Sequence, residues 1–487
     1  MGISKNLLKK SKLYKFFNYN FSNIQSRLEK LEEHLQTITN NNIDKSILDN
    51  ITKEITSLKT ISNKSLSLIE NNSNKINLIE NRTQQFDYIN SELLLLNKTL
   101  NQEKILIVGF YGAPNSGDEL MLQSILNKID SDRCSITVML ADNPNYKLPD
   151  YKTINYIHYP KTNMDFNIIA NYFDKIVFGG GAIIEDTYLN DENSYKFNMG
   201  SILLNLSMAC INNNKKIYCV GLSTSTAITN QNYIKSLDFI IEHSEHFSLR
   251  DSNSLQTLKN CNIKNIGKIQ LIPDLVFSLK EIPYDFNLIN CSENFVIGLV
   301  LIGFSDHNKL RDIISWIDQY SNEFNKPIKI KLIPFYDFCH SDIVNLNAII
   351  NTMELHNPIE IVPYSQQYED IMEIFHSCNM IINMRYHSTL LCLKTGIPAI
   401  NIIYDIHPHY ENKMNYLMET YNLPHLFLSY NNLNKKLFYD SIKYLIKNIR
   451  DIYLIETTIS KKIQKNALTE HSKIINNILG LKENYEI

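Results

Sequence analysis

The 487-residue chain is too long for one ordinary core, so two or three domains are expected. A formal charge of −3, with 20% charged residues, excludes a general nucleic-acid binder. Hydrophobic residues make up 44% and allow well-packed cores, while eight dispersed cysteines without a Cys-x-x-Cys pair fit a reducing compartment better than a disulfide scaffold.

Residues 1–20 carry Lys5, Lys9, Lys10, Lys12 and Lys15 among Leu7, Leu8, Leu13, Phe16 and Phe17. Two readings fit: a basic amphipathic helix on an anionic membrane face, or a solvated or partner-bound tail. The segment lacks the apolar core of a signal peptide, and Asn6 stands where a myristoylation pattern wants Ser or Thr. Residues 21–101 contain neither Pro nor Gly, and Ile24, Leu28, Leu31, Leu35 and Ile38 follow a heptad seam that Ile51, Ile55 and Leu58 resume. This predicts an interrupted coiled coil, and with it a homo-oligomer, the other reading being a long helix folded back on the rest.

At Lys104 the pattern changes. Lys104 to Gly112 reads as a buried parallel strand, followed by a helix led by Leu120, Met121, Leu122 and Ile125. Further strands are predicted near 135–140, 175–178, 215–220, 245–248 and 266–271, with helices near 165–172, 198–212, 230–242 and 251–259. Residues 104–285 are thus read as one Rossmann-like α/β domain. A second, 293–433, has strands near 295–303, 328–334, 359–363, 380–384 and 398–404, and helices near 309–324, 366–376, 387–395 and 410–420. Residues 434–487 read as C-terminal helices packing across both. The apolar run from Phe295 to Phe304 is too short to span a bilayer as a helix.

Chemistry-bearing residues gather at predicted strand exits. Met380 to Met384 is an apolar strand, and Arg385 and His387 follow it, alternating with Tyr386; at strand spacing they point the same way. A permanent cation and a group titrating near neutrality would share one pocket, or the pair would sit in a surface turn. Gly179-Gly180-Gly181 follows another strand, with Glu185 and Asp186 beyond it; three glycines in a row suggest close approach of a ligand. Arg250 is a second candidate anion clamp at a strand end, beside Asp251 or Ser252 as helix cap. The turn from Gly109 to Glu119 is either an anion-binding strand–helix junction or a tight turn capped at Ser116 or Asp118. His243/His246 and His407/His409 have suggestive metal spacing but no clear acid or Cys set, so no metal is expected.

Taken in order, Asn115-Ser116-Gly117-Asp118-Glu119, Gly179-Gly180-Gly181, Leu249 to Ser254, Pro273-Asp274-Leu275-Val276-Phe277, and Arg385-Tyr386-His387-Ser388 with Gly396-Ile397-Pro398 resemble the polysaccharide pyruvyltransferase family over roughly 104–430. The resemblance implies two Rossmann-like domains in a GT-B-like arrangement. It also implies transfer of the enolpyruvyl unit of phosphoenolpyruvate to two hydroxyls of a cell-surface glycan or lipid-linked saccharide, forming a cyclic ketal and releasing phosphate. Phosphoenolpyruvate is then a donor substrate and no cofactor is called for. The matched positions are Asp118, the glycine loop, Arg250, Arg385, His387 and Ser388. The family's Tyr…Lys pair is split here by Ile406 to Asn412, which makes Lys413 the match, and Gly221-Leu222-Ser223-Thr224-Ser225-Thr226 departs from a glycine-rich family segment. Arginines suit a donor with a phosphate and a carboxylate. His387 would protonate the methylene carbon and Asp118 would receive the acceptor proton. The dispersed cysteines point to a cytoplasmic protein, and the basic tail offers a peripheral position at the inner membrane face as a variant. The alternatives are a GT-B glycosyltransferase using a nucleotide sugar, since a fold does not fix a function, and a non-catalytic coiled-coil assembly factor.

Overall fold

A computed structural model of the chain describes residues 102–481, apart from 130–132, 142–153, 187–197, 225–227, 283, 286–293, 322–326, 339–340 and 407. Before residue 102 the described positions are 29, 30, 33, 52, 53, 56, 59 and 60, all helical and exposed. The basic tail and the seam of the predicted coiled coil lie outside the described residues.

The first α/β domain contains β1 (Glu103–Val108), α1 (Ser116–Leu126), β2 (Cys134–Leu140), β3 (Ile154–His158), α2 (Asn163–Tyr172), β4 (Lys175–Ile184), α3 (Met199–Asn212), β5 (Lys216–Thr224), α4 (Gln231–His243), β6 (His246–Leu249), α5 (Ser252–Asn260) and β7 (Gln270–Leu271). The second contains β8 (Phe295–Val300), α6 (His307–Tyr320), β9 (Ile328–Leu332), α7 (Asp342–Ile350), β10 (Ile359–Ile361), α8 (Tyr368–His376), β11 (Met380–Asn383), α9 (Tyr386–Thr395), β12 (Ala399–Ile403), α10 (Pro408–Tyr421) and β13 (Phe427–Ser429). Helices α11 (Lys435–Lys447) and α12 (Ile449–Ile478) close the chain.

Both sheets are parallel, with orders β3-β2-β1-β4-β5-β6-β7 and β10-β9-β8-β11-β12-β13. Helices cover both faces, so the central strands are apolar throughout: Ile105 to Val108, and Ile381 and Ile382, are fully buried. In each sheet the strand order turns back at one point, between β1 and β4 and between β8 and β11. Crevices outside the carboxyl ends of such strands are where open α/β sheets bind ligands.

The β1–α1 turn meets the loop after β9. Asn115 and Tyr336 form an antiparallel bridge, the Ser116 N–H donates to Phe335 O at 3.0 Å, and the Asp337 N–H donates to Pro114 O at 2.9 Å. α12 straps both domains: the His471 ring meets Pro273 O at 3.0 Å, and Ser460 Oγ donates to Leu393 O at 2.7 Å. Among the described residues no helix is long and apolar enough to cross a membrane.

Candidate active site

Two helix starts face each other across the cleft. α1 begins after a turn in which the Gly112 N–H donates to Glu119 Oε1 at 2.9 Å, and its cap is Asn115, whose Oδ1 accepts from the Gly117 N–H at 3.3 Å. The cap is therefore neither Ser116 nor Asp118. Asp118 turns into the cleft, beside Asn115 and Gly117. Opposite it, β11 stops at Asn383; Arg385 takes the N-cap position of α9 in extended backbone, and His387 lies in the first helical turn. Strand alternation does not align Arg385 with His387, as the sequence suggested. The helix start brings both to the cleft wall. The Arg385 side chain does not cap α9, and the first residues of this helix, with the positive end of its dipole, lie at the cleft wall.

Gly117 is empty on one side because the His387 ring stands there: a Cβ at Gly117 would overlap its Nδ1 edge. The three glycines of β4 have a related role. Gly180 and Gly181 adopt φ of +69° and +91°, just before the register of β4 shifts between Gly181 and Ile184. A Cβ at Gly180 would come within 2.6 Å of Met121 Sδ, and one at Gly181 within 3.2 Å of Asp118 Oδ1. The expected ligand loop is thus a close approach of strand to helix α1. The cleft wall at this point is Ala182, Ile183 and Glu185, and the glycines lie behind it. Ser388 also turns away from the expected donor role: it is fully buried, and its Oγ donates to Arg385 O at 2.9 Å.

Arg250 leaves the end of β6 and is almost completely buried. Its NH1 donates to Asp274 Oδ2 at 2.9 Å and lies 3.1 Å from His387 Nε2. Asp274 Oδ1 accepts from the Val276 N–H at 3.0 Å, so the acid is held by backbone as well as by arginine. His387 Nε2 is also 3.5 Å from Asp274 Oδ2. Arginine can only donate; when its N–H bonds Nε2, the ring proton of a neutral His387 sits on Nδ1. Arg385 NH2 donates to Asp342 Oδ1 at 2.6 Å, and its guanidinium lies 5.6 Å from the Tyr336 ring and 5.7 Å from the Phe304 ring. Lys413, from α10, is buried and lies 6.0 Å from the Tyr386 ring, which Arg250 approaches at 4.9 Å. The cations of this wall therefore converge from β6, the β11–α9 junction and α10.

Burial sets the protonation states. It pushes the Asp118 carboxyl up to about 6, although Arg250 and Lys413 pull the other way. It lowers His387, with Arg250 and Lys413 adding to the effect and Asp274 opposing it. It lowers Lys413 well below an ordinary amine, and Arg250 lowers it further. Burial alone would raise Asp274, but Arg250 and His387 hold it well below the usual carboxylate range. A cavity of about 380 Å³ lies among these groups, with Phe110, Tyr159, Asn198 and Met199 completing its walls. That is the size of a small-ligand site.

The model of one family, "Polysaccharide pyruvyl transferase", matches residues 115–406. The chain belongs to the polysaccharide pyruvyl transferase family. Its fold is shared with a glycosyltransferase from Rickettsia africae, at a TM-score of 0.52 and 14% identity over 79% of this chain and 100% of that one. A UDP-GlcNAc 2-epimerase from Neisseria meningitidis, solved bound to UDP-GlcNAc, superposes at a TM-score of 0.48 and 11% identity over 77% of this chain and 99% of that one. No curated protein matches the sequence. The two parallel-sheet α/β domains thus have GT-B-like neighbours.

In this family member, Asp118, Arg250, Arg385, His387 and Lys413 all reach one cleft. The sequence shows neither arginine's partner acid as a partner. Asp274 was visible as an acid at a strand exit, whereas Asp342 carried no motif. Among the described residues no His, Cys, Asp or Glu cluster has metal-binding geometry.

Gly117 offers a sharp test of the His387 position. In a helix, Gly→Ala ordinarily gains about 1 kcal/mol. Here the added methyl meets the His387 ring, and overpacking costs about 1–3 kcal/mol. Gly117→Ala is expected to leave the melting temperature near wild type while family activity falls on the order of 10²-fold through ring displacement. Steady-state kinetics alongside thermal unfolding checks it.

Proposed function

We propose that this protein moves the pyruvyl unit of phosphoenolpyruvate onto two hydroxyls of one sugar in a polysaccharide or its lipid-linked precursor. One observation carries the reading: Arg250, Arg385 and Lys413 converge around His387, opposite the carboxylate of Asp118. The donor has a phosphate and a carboxylate, and this wall offers two arginines, a lysine whose charged form a bound anion would favour, and the N-terminus of α9 to both.

The chemistry distributes over these groups. The methylene carbon of the donor takes a proton, and the cationic C2 is stabilised by its phosphate oxygen. An acceptor hydroxyl attacks C2 and gives its proton to Asp118. Phosphate leaves with the C–O electron pair, and the second hydroxyl closes the ketal. The two hydroxyl protons replace the one added to carbon and accompany the phosphate. His387 is kept neutral by burial and two cations. A donor anion beside it favours its protonated form, so donor binding loads the acid. Incubation with phosphoenolpyruvate and a glycan acceptor, followed by phosphate assay and product mass, tests the reading. Transfer from a nucleotide sugar in place of phosphoenolpyruvate would overturn it.

The pH profile follows from Asp118. As a base it must be ionised, so kcat/KM is expected to rise with pH through about 6. A donor phosphate has its own second ionisation at about 6. Asp118→Asn is therefore the control: it lowers the plateau and removes only the enzyme's part of the limb. The stability sign is opposite. A carboxyl raised from 3.8 to about 6 contributes stability below its unfolded value and loses it as pH rises through its folded one. Asp118→Asn is expected to be more thermostable than wild type at neutral pH and indistinguishable from it near pH 4, about the ordinary carboxylate value.

A further inference from the structure

We infer that Asp342 is a positioning residue of this cleft: one carboxylate sets both Arg385 and the junction between the two domains. The inference rests on the reading of the cleft as an anion site. Asp342 is the first residue of α7, after the Ser341 cap, where a negative charge suits the helix dipole. It is fully buried. Its Oδ1 accepts from the Gly303 N–H at 2.9 Å and from Arg385 NH2 at 2.6 Å. Its Oδ2 accepts from the Phe335 N–H at 3.1 Å and the Tyr336 N–H at 3.0 Å. Its own N–H donates to Tyr336 O at 2.8 Å.

A buried ion pair is weak evidence for stability, because desolvation offsets the attraction. What the arrangement supplies is geometry. Backbone donors from the exits of β8 and β9 fix the carboxylate, and the carboxylate fixes the guanidinium after β11. The peptide pair Phe335–Tyr336 that Oδ2 grips is also the pair that meets Asn115 and Ser116 at the start of α1. The helix bearing Asp118 is thereby placed against the same acid as Arg385. An asparagine cannot reproduce this. Its NH₂ must face either Gly303 N–H and Arg385, or Phe335 N–H and Tyr336 N–H, and a donor then meets donors on that side.

The test is calorimetry on the full chain with phosphoenolpyruvate, inorganic phosphate and UDP, each offered to wild type, Asp342→Asn, Arg385→Met and the double variant. Thermal unfolding is recorded for each. Asp342→Asn is expected to weaken the bound anion about 10–100-fold, the loss of one charge-assisted hydrogen bond. In the Arg385→Met background the same substitution is expected to cost clearly less than in wild type, because only the junction part of its effect remains. Wild-type affinity in Asp342→Asn with only a lowered melting temperature, or a full additive loss in the double variant, overturns the inference. Asp342→Glu covers the case of an unfolded asparagine variant. It keeps the charge and displaces it by one methylene, so a purely electrostatic role predicts wild-type affinity and a positioning role predicts the same loss. If wild type binds phosphate or UDP but not phosphoenolpyruvate, the functional reading falls and Asp342 is judged with the anion that binds. If wild type binds none of the three, both fall.

Discussion

His387→Gln is expected to lose on the order of 10²–10⁴ in kcat, the range for removing a positioned general acid or base, while donor affinity stays within about threefold of wild type. The split follows from the contacts. Charge for the donor comes from Arg250, Arg385 and Lys413, all of which remain. His387 is neutral in the empty cleft, held low by burial and by its cationic neighbours. The protonation that the donor induces adds a small attraction, and the larger contribution of the ring is where a proton moves. Glutamine retains a polar atom near Arg250 NH1, which lies 3.1 Å from Nε2, so the arginine is not set free. Phosphate release under saturating donor gives kcat, and calorimetry gives affinity. A variant that keeps kcat would remove His387 from the proton path. A variant that loses affinity in proportion to rate would make the ring part of the donor clamp.

Much of this fold is legible in the sequence for one physical reason. Strands β1, β4, β8, β11 and β12 are buried on both faces along most of their length and read as mainly apolar runs. The elements that escape notice lack that signal. β3 and β13 are edge strands with partly exposed positions, and β13 has three residues. α7 reads Asp-Ile-Val-Asn-Leu-Asn, a run of β-branched residues and asparagines with weak helix propensity, and packing of Leu346 and Ile349 decides it. The site divides in the same way. Residues at strand exits were found because a sheet gathers exits at one edge. The pairing of Arg250 with Asp274, 24 positions on, follows from β7 lying beside β6. The pairing of Arg385 with Asp342, 43 positions before it, follows from β8 lying between β9 and β11. Strand order carries both, and no local pattern states it. The glycines of β4 were noticed for a sound reason, close approach, but what approaches them is α1.

Arg250→Met is expected to destabilise the protein by about 3–5 kcal/mol, because it strands a buried charge. The two side chains are 2% and 1% exposed, so water cannot take the place of the guanidinium. Restoring neutrality separates stability from function: Arg250→Met/Asp274→Asn is expected to recover most of the loss, while donor binding stays absent. The pH dependence has a definite sign. In wild type the Asp274 carboxyl is held below its unfolded value of 3.8, so its contribution is present above that pH and is lost as pH falls through the folded value. Without Arg250, burial is left to raise the carboxyl, and the penalty grows as pH rises from about 4 to 7. The stability gap between wild type and Arg250→Met therefore widens toward neutrality, and it is absent from the comparison of wild type with the double variant. Denaturant unfolding at the two pH values measures it. A gap that stays constant with pH would mean that the arginine acts through packing against the Tyr386 ring, 4.9 Å away, rather than as the partner of Asp274.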